Sequence, residues 1–113
     1  MKEKKDNIHL ERIIVSIEKI QRFIDGFDSK KFSKDEKTFD AALLQIVNIG
    51  EMISHLSSDF REKHADLPWH DATGMRNRIA HGYYEIEPEV VWKTIKNDLP
   101  KLKSKVKKIL VSL

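Results

Sequence analysis

The chain has 113 residues, 40% hydrophobic and 35% charged, which suits one folded domain over 1–113 with one core and argues against intrinsic disorder. It has no cysteine, so disulfides, thiolate metal sites and thiol nucleophiles are excluded, and its formal net charge of +3 points only weakly to an acidic partner. The charged start from Met1 to Asp6 carries no signal-peptide pattern, and no apolar run approaches the ~18–20 residues of a membrane span. The expectation is a cytoplasmic protein with no membrane contact.

From Ile8 to Ile24 the residues Leu10, Ile13, Ile14, Ile17 and Ile20 recur at three- and four-residue steps, which predicts an amphipathic helix capped by Asn7 and ended by Gly26. Asp28 to Lys37 is polar and lysine-rich and reads as a loop. A second helix is expected from about Thr38 to His55 or Leu56. Its apolar set, including Phe39, Leu43, Ile46, Ile49 and Ile53, is too broad for one stripe, so this helix should be the most buried. Gly50 inside it costs ~1 kcal/mol against alanine, and a close helix–helix approach is the expected compensation. Asn48 and Glu51 are polar on a crowded helix, which leaves solvent exposure and a site role both open.

Ser58 can cap a short helix reaching Lys63. Leu67-Pro68 then breaks the chain, Trp69 anchors it to the core, and Asp71 caps a helix running from Ala72 to His81, with Gly82 as a left-handed stop. Glu87-Pro88 starts another helix with Val90, Val91, Trp92, Ile95 and Leu99 on its apolar face. Pro100 kinks or divides it, and Leu102, Val106, Ile109 and Leu110 continue at helical spacing. No segment alternates with period two. The fold class is therefore all-α, an antiparallel bundle of four to five helices, and the broad apolar faces left over favour a homodimer. Lys93, Lys96, Lys101, Lys103, Lys105, Lys107 and Lys108 crowd the last quarter of the chain with only Asp98 against them. Such a run either attracts a phosphate backbone or is the solvated face of a helix.

Met75-Arg76-Asn77-Arg78-Ile79-Ala80-His81-Gly82-Tyr83-Tyr84 concentrates two arginines, an asparagine, a histidine and two tyrosines in ten residues. Asn77 and His81 lie four apart on one helix face, and Arg76 lies five before His81, so the three can serve one small volume, with Tyr83 folding back from the turn. His81 has three readings: an ordinary histidine near a helix end, a metal ligand, or an acid–base catalyst. His9, His55, His64 and His70 offer no ligand spacing, so no metal site is expected. Arg76 either pairs with a carboxylate such as Asp71 or Glu51 or handles phosphate. Arg78 points away from Arg76, toward solvent. Asn77 is a poor helix former that needs a hydrogen-bonding reason, and Tyr83 and Tyr84 either pack or serve the site.

Pro68-Trp69 followed by Gly74-Met75-Arg76-Asn77-Arg78-Ile79-Ala80-His81-Gly82-Tyr83 resembles the signature of the HEPN superfamily, and within it the HepT-like toxins with their R-x4-H-x-Y motif. Ile49-Gly50-Glu51 is similar to the family's I-G-E-A segment, with Met52 in place of the alanine, and the stretch from Glu87-Pro88 to Leu102 is similar as well. The resemblance implies a dimeric helical bundle with two motif copies in one cleft. It implies a metal-independent endoribonuclease, needing no cofactor, that serves as the toxin of a type VII-like toxin–antitoxin pair. Its partner would be an MNT-type nucleotidyltransferase antitoxin, which can neutralise it by transferring AMP to Tyr83. Arg76 and His81 map onto the catalytic pair and Asn77 onto the supporting polar residue. Two other functions stay open: a non-catalytic HEPN subunit that binds nucleotide or docks a nucleotidyltransferase, and a basic helical protein that binds nucleic acid through its C-terminal lysines.

Overall fold

The structure is a computed structural model that describes residues 2–112 other than 68, with the backbone alone for 2–5, 70 and 71. Pro68, and with it the chain break expected there, lies outside the described residues, as does the side chain of Asp71.

Every regular element among the described residues is helical, as the apolar spacing predicts. Helix α1 (Lys2–Phe23) leads into α2 (Ser29–Lys34), α3 (Glu36–Ser54), α4 (Ser58–Lys63) and α5 (Trp69–Gly82). A 3-10 turn (Tyr83–Glu85), α6 (Pro88–Lys93), a π turn (Thr94–Asp98) and α7 (Leu99–Ser112) complete the chain. Helix α3 packs against both α1 and α5, and α7 packs against α1. The pairs run antiparallel: Asp6 near the start of α1 meets Ser57 just past α3, and Asp40 near the start of α3 meets Tyr83 just past α5. Leu10, Ile13, Ile17 and Ile20 of α1 are fully buried, Ile49 and Ile53 of α3 nearly so, and Val106 and Leu102 of α7 close the core.

Several boundaries differ from expectation, each for a local reason. The first helix begins at Lys2, so Asn7 lies inside it and is not its cap. Asp6 is instead only 4% exposed, and its carboxylate accepts hydrogen bonds from Ser57 N and Oγ, both at 2.9 Å. Ser57, rather than Ser58, caps α4, its Oγ accepting from Phe60 N at 3.2 Å. The lysine-rich loop contains α2, because Asp28 accepts from Lys31 N at the helix start and Phe32 fills a fully buried position against Phe39 and Trp92. One buried aromatic thus fixes a segment whose composition reads as loop. Helix α5 starts at Trp69, which puts Asp71 inside the helix and not at its cap. Trp69 is the expected anchor, 7% exposed, with its indole N–H donating to His64 O at 2.9 Å.

Two chain-breaking residues act as their chemistry dictates. Gly26 has φ +79°, the left-handed conformation that ends α1. Pro100 has no N–H to bond the preceding turn, and the helix accommodates it by widening: Leu99 N donates to Thr94 O, five residues back, through the π turn. Gly82 does not act as a left-handed stop, since its φ is −152°.

The crossing of α3 and α5 rests on Gly50. A Cβ at that position would lie 2.5 Å from Arg76 Cβ and 2.8 Å from Arg76 Cγ. The glycine therefore lets the backbones approach and lets the Arg76 stem lie directly over α3. Replacing Gly50 with alanine gains helix propensity of ~1 kcal/mol but forces the two helices apart, and overpacking of this kind costs ~1–3 kcal/mol. Gly50→Ala should lower unfolding free energy by up to about 2 kcal/mol in urea titration; a higher denaturation midpoint would mean that the crossing is not tight.

Candidate active site

Arg76 projects from α5 over Gly50, and Glu51, the next residue of α3, holds its head. Arg76 Nε donates to Glu51 Oε1 at 2.9 Å and Nη2 to the same oxygen at 2.5 Å, while Nη1 donates to Asn77 Oδ1 at 3.1 Å. The pair is about one-third exposed on both sides, so it contributes little stability, on the order of 1 kcal/mol or less. Its effect is geometric: all three guanidinium nitrogens donate, two to Glu51 and one to Asn77, which fixes the orientation of the plane. Of the two carboxylates that the sequence offers as partners for Arg76, Glu51 is in contact, and the Asp71 side chain lies outside the described residues. Asn77 earns its mid-helix place by gripping its neighbour's guanidinium, a contact within one helix and not between two.

His81 is exposed, and among the described residues it has no hydrogen-bond, ion-pair or ring partner. Five residues separate it from Arg76, which is about 140° round the helix. The structure thus brings Arg76, Asn77 and Glu51 together, and one chain does not bring His81 into contact with them. Tyr83 folds back, as expected of the turn, but toward the start of α3: its hydroxyl donates to the Asp40 carboxylate. This bond, then burial and the negative charge of Asp40, raise the Tyr83 phenol above the ordinary tyrosine value of 10.0. The neutral phenol is the form that is held, so the tether is intact at neutral pH and is lost only as pH rises through the raised value.

Asp40, Leu44, Asn48 and Glu51 follow one another at helical spacing along the solvent side of α3, next to the motif. Leu44 is 59% exposed there, and Tyr84, which stacks edge-on with Tyr83 at 5.2 Å, is 97% exposed. Asp40 is the contributor that sequence reading did not single out. It lies 43 residues from Tyr83, and only the antiparallel packing of α3 on α5 makes them neighbours. The lysine run at the C-terminus is partly absorbed by packing. Lys103 Nζ reaches Gln21 Oε1 at 2.9 Å and Glu18 Oε2 at 3.3 Å, Lys107 lies 3.9 Å from Glu18, and Lys105 donates to Asp66 O at 3.3 Å. The Lys103 and Lys107 contacts join α7 to α1, and the Lys105 contact joins it to the loop before α5. No three His, Asp or Glu side chains converge as metal ligands among the described residues, and no helix there is long and apolar enough to cross a membrane.

An all-helical bundle with an Arg-x4-His motif on its third long helix, α5, braced by a Gly-Glu pair on the central helix, defines a class of protein, and sequence comparison agrees. The chain matches the HepT-like family, described as ribonuclease HepT-like, over residues 13–109, and it belongs to that family. It is similar to a probable ribonuclease HepT of Thermococcus cleftensis, with 35% identity over 89% of this chain and 92% of the relative. A protein of Caldanaerobacter subterraneus subsp. tengcongensis named as a candidate RNase is 33% identical over 90% of this chain and 91% of its own length. A candidate RNase of Methanocaldococcus jannaschii is 32% identical over 83% of this chain and 86% of its own. No solved structure matches the chain.

The Tyr83 tether is open to direct titration. In a Tyr84→Phe background Tyr83 is the one remaining tyrosine, and Asp40→Ala should bring its ultraviolet titration midpoint down toward 10.0. A midpoint that does not move would show that the Asp40 contact is absent in solution.

Proposed function

We infer that this protein is a metal-independent endoribonuclease whose active site is completed by a second copy of the chain. The observation that carries this reading is the division of the motif within one protomer: Arg76 is fixed in orientation by Glu51 and Asn77, while His81, about 140° away, has no partner among the described residues. A symmetric dimer would put two imidazoles and two guanidiniums in one cleft, and exposed Leu44 and Tyr84 beside the motif supply apolar surface for such an interface. The relatives' names, all of them RNases, support the substrate class.

RNA carries its own nucleophile. One His81, neutral, removes the proton of the ribose 2′-hydroxyl as that oxygen attacks the adjacent phosphorus. The second His81, protonated, delivers a proton to the 5′-oxygen as the P–O5′ bond breaks. Arg76 steadies the charge on the phosphorane, with Asn77 supporting its guanidinium. The products are a 2′,3′-cyclic phosphate and a 5′-hydroxyl, and no metal is needed. General acid–base catalysis contributes ~10²–10⁴-fold and preorganised charge a comparable amount.

The toxin–antitoxin setting belongs to the same proposal. Tyr83 is 39% exposed and its hydroxyl already donates to a carboxylate. When a nucleotidyltransferase antitoxin presents ATP, the Tyr83 oxygen attacks the α-phosphorus, Asp40 takes the phenolic proton, and pyrophosphate leaves. The AMP would add negative charge and bulk close to the cleft and repel RNA. The engagement of Arg76 by Glu51 also favours a second reading, a non-catalytic subunit that docks a nucleotidyltransferase and uses the motif for structure.

A cleavage assay on single-stranded RNA in EDTA separates the two. Wild type should cut RNA but not DNA and leave 2′,3′-cyclic phosphate ends, and His81→Ala should lose ~10²–10⁴-fold in rate with helicity and dimer retained. Equal rates for the two proteins, or no cutting by unmodified wild type, would favour the docking subunit, and cutting that EDTA abolishes would require a metal.

A further inference from the structure

On the other side of α5 from Arg76, a cavity of about 580 Å³ opens between this helix, α6 and the π turn. That is within the ~300–1,000 Å³ range of small-ligand sites. Arg78 enters it from α5 and Lys93 from α6, and among the described residues neither has a hydrogen-bond or ion-pair partner. Two unpaired cations from different helices facing one concavity favour a bound phosphate. Met75, 7% exposed, and Val90 supply an apolar wall suited to the flat face of a base. The π turn imposed by Pro100 contributes Asn97 and Asp98. Their amide and carboxylate suit the mixed donors and acceptors of a base edge, and the Asp98 charge offsets one of the two cations, which leaves the lining net positive.

The position of His81 connects this cavity to the candidate active site. His81 lies three residues after Arg78, one turn along and about 60° round the helix, whereas Arg76 is about 140° away. A strand whose scissile phosphate sits at His81 therefore has Arg78 as its neighbouring cation on the same chain. We propose that the cavity between α5, α6 and the π turn is a subsite for one nucleotide of the RNA strand, with its phosphate on Arg78 and Lys93 and its base against Met75 and Val90, where Asn97 and Asp98 meet the base edge. This rests on the ribonuclease reading above, for the occupant but not for the measurement.

The test uses the full chain and a fluorescein-labelled, 2′-O-methylated RNA oligonucleotide, which lacks the attacking hydroxyl and so reports binding alone. Arg78→Ala and Lys93→Ala should each weaken binding about 5- to 20-fold and lower the salt dependence by about 0.7 in log–log slope. Arg78→Lys should restore the slope, and Lys108→Ala, at an exposed position of α7, should bind within two-fold of wild type. The subsite is overturned if both alanine variants bind like wild type, if Lys108→Ala weakens binding as much as they do, or if the wild-type chain does not bind the oligonucleotide. Cleavage of unmodified RNA is read separately. Cutting by wild type with unaltered binding in the variants overturns the subsite alone; weakened binding in the variants without any cutting by wild type upholds the subsite and overturns the nuclease reading.

Discussion

The absence of a side chain at Gly50 sets the geometry on which the rest depends. Because a Cβ there would overlap Arg76 Cβ and Cγ, the arginine stem can lie flat across the central helix and bring its head to Glu51, one residue further along α3. A long, flexible side chain, which would lose about 2 kcal/mol of rotamer entropy if ordered by an ion pair alone, is instead guided by packing and then fixed by hydrogen bonds. The same antiparallel crossing carries the start of α3 to the end of α5, where Asp40 receives the Tyr83 hydroxyl. The middle and the C-terminal end of the motif helix are thereby tied to one partner helix.

Between these two ties the helix presents its chemistry outward in different directions. Arg76 leans toward α3, Asn77 and His81 face solvent, and Arg78 turns toward α6. Residues five apart on one helix point about 140° from each other, and the turn after Gly82 carries Tyr83 rather than His81 back to the bundle. The proposed completion by a second copy would resolve this geometry, and it would also cover Leu44, a large aliphatic side chain more than half exposed in the middle of a polar face. The charge on Arg76, partly offset by Glu51, is then available as an oriented dipole edge more than as a free cation, which suits stabilisation of a developing phosphorane.

Much of this was readable from residue spacing. The apolar residues of α1 and α3 and the face of Val91, Ile95 and Leu99 predict the long helices, and Gly50 inside a helix predicts a tight crossing that the coordinates contain. Pro100 predicts a disturbance, which takes the form of a π turn. The departures come where tertiary contacts override local pattern. Lysines mask α2 because one buried phenylalanine decides its fate, and Asn7 is not a cap because α1 begins at Lys2, while Asp6 beside it is held by Ser57 of a distant turn. Sequence spacing names Glu51 as one of two partners for Arg76 and leaves the choice to the fold. Asp40 was not visible at all, because no local rule connects it to Tyr83. The proposed motif roles rest on the family resemblance, and their proposed division between two protomers rests on the separation of Arg76 and His81 round α5.

The division is open to one decisive measurement. Wild-type chain mixed with increasing His81→Ala chain, with subunit exchange verified by native mass spectrometry, should lose ribonuclease activity as the square of the wild-type fraction, because each cleft needs a histidine from both copies. A linear loss would show that each protomer cleaves with its own His81, and would contradict the composite site.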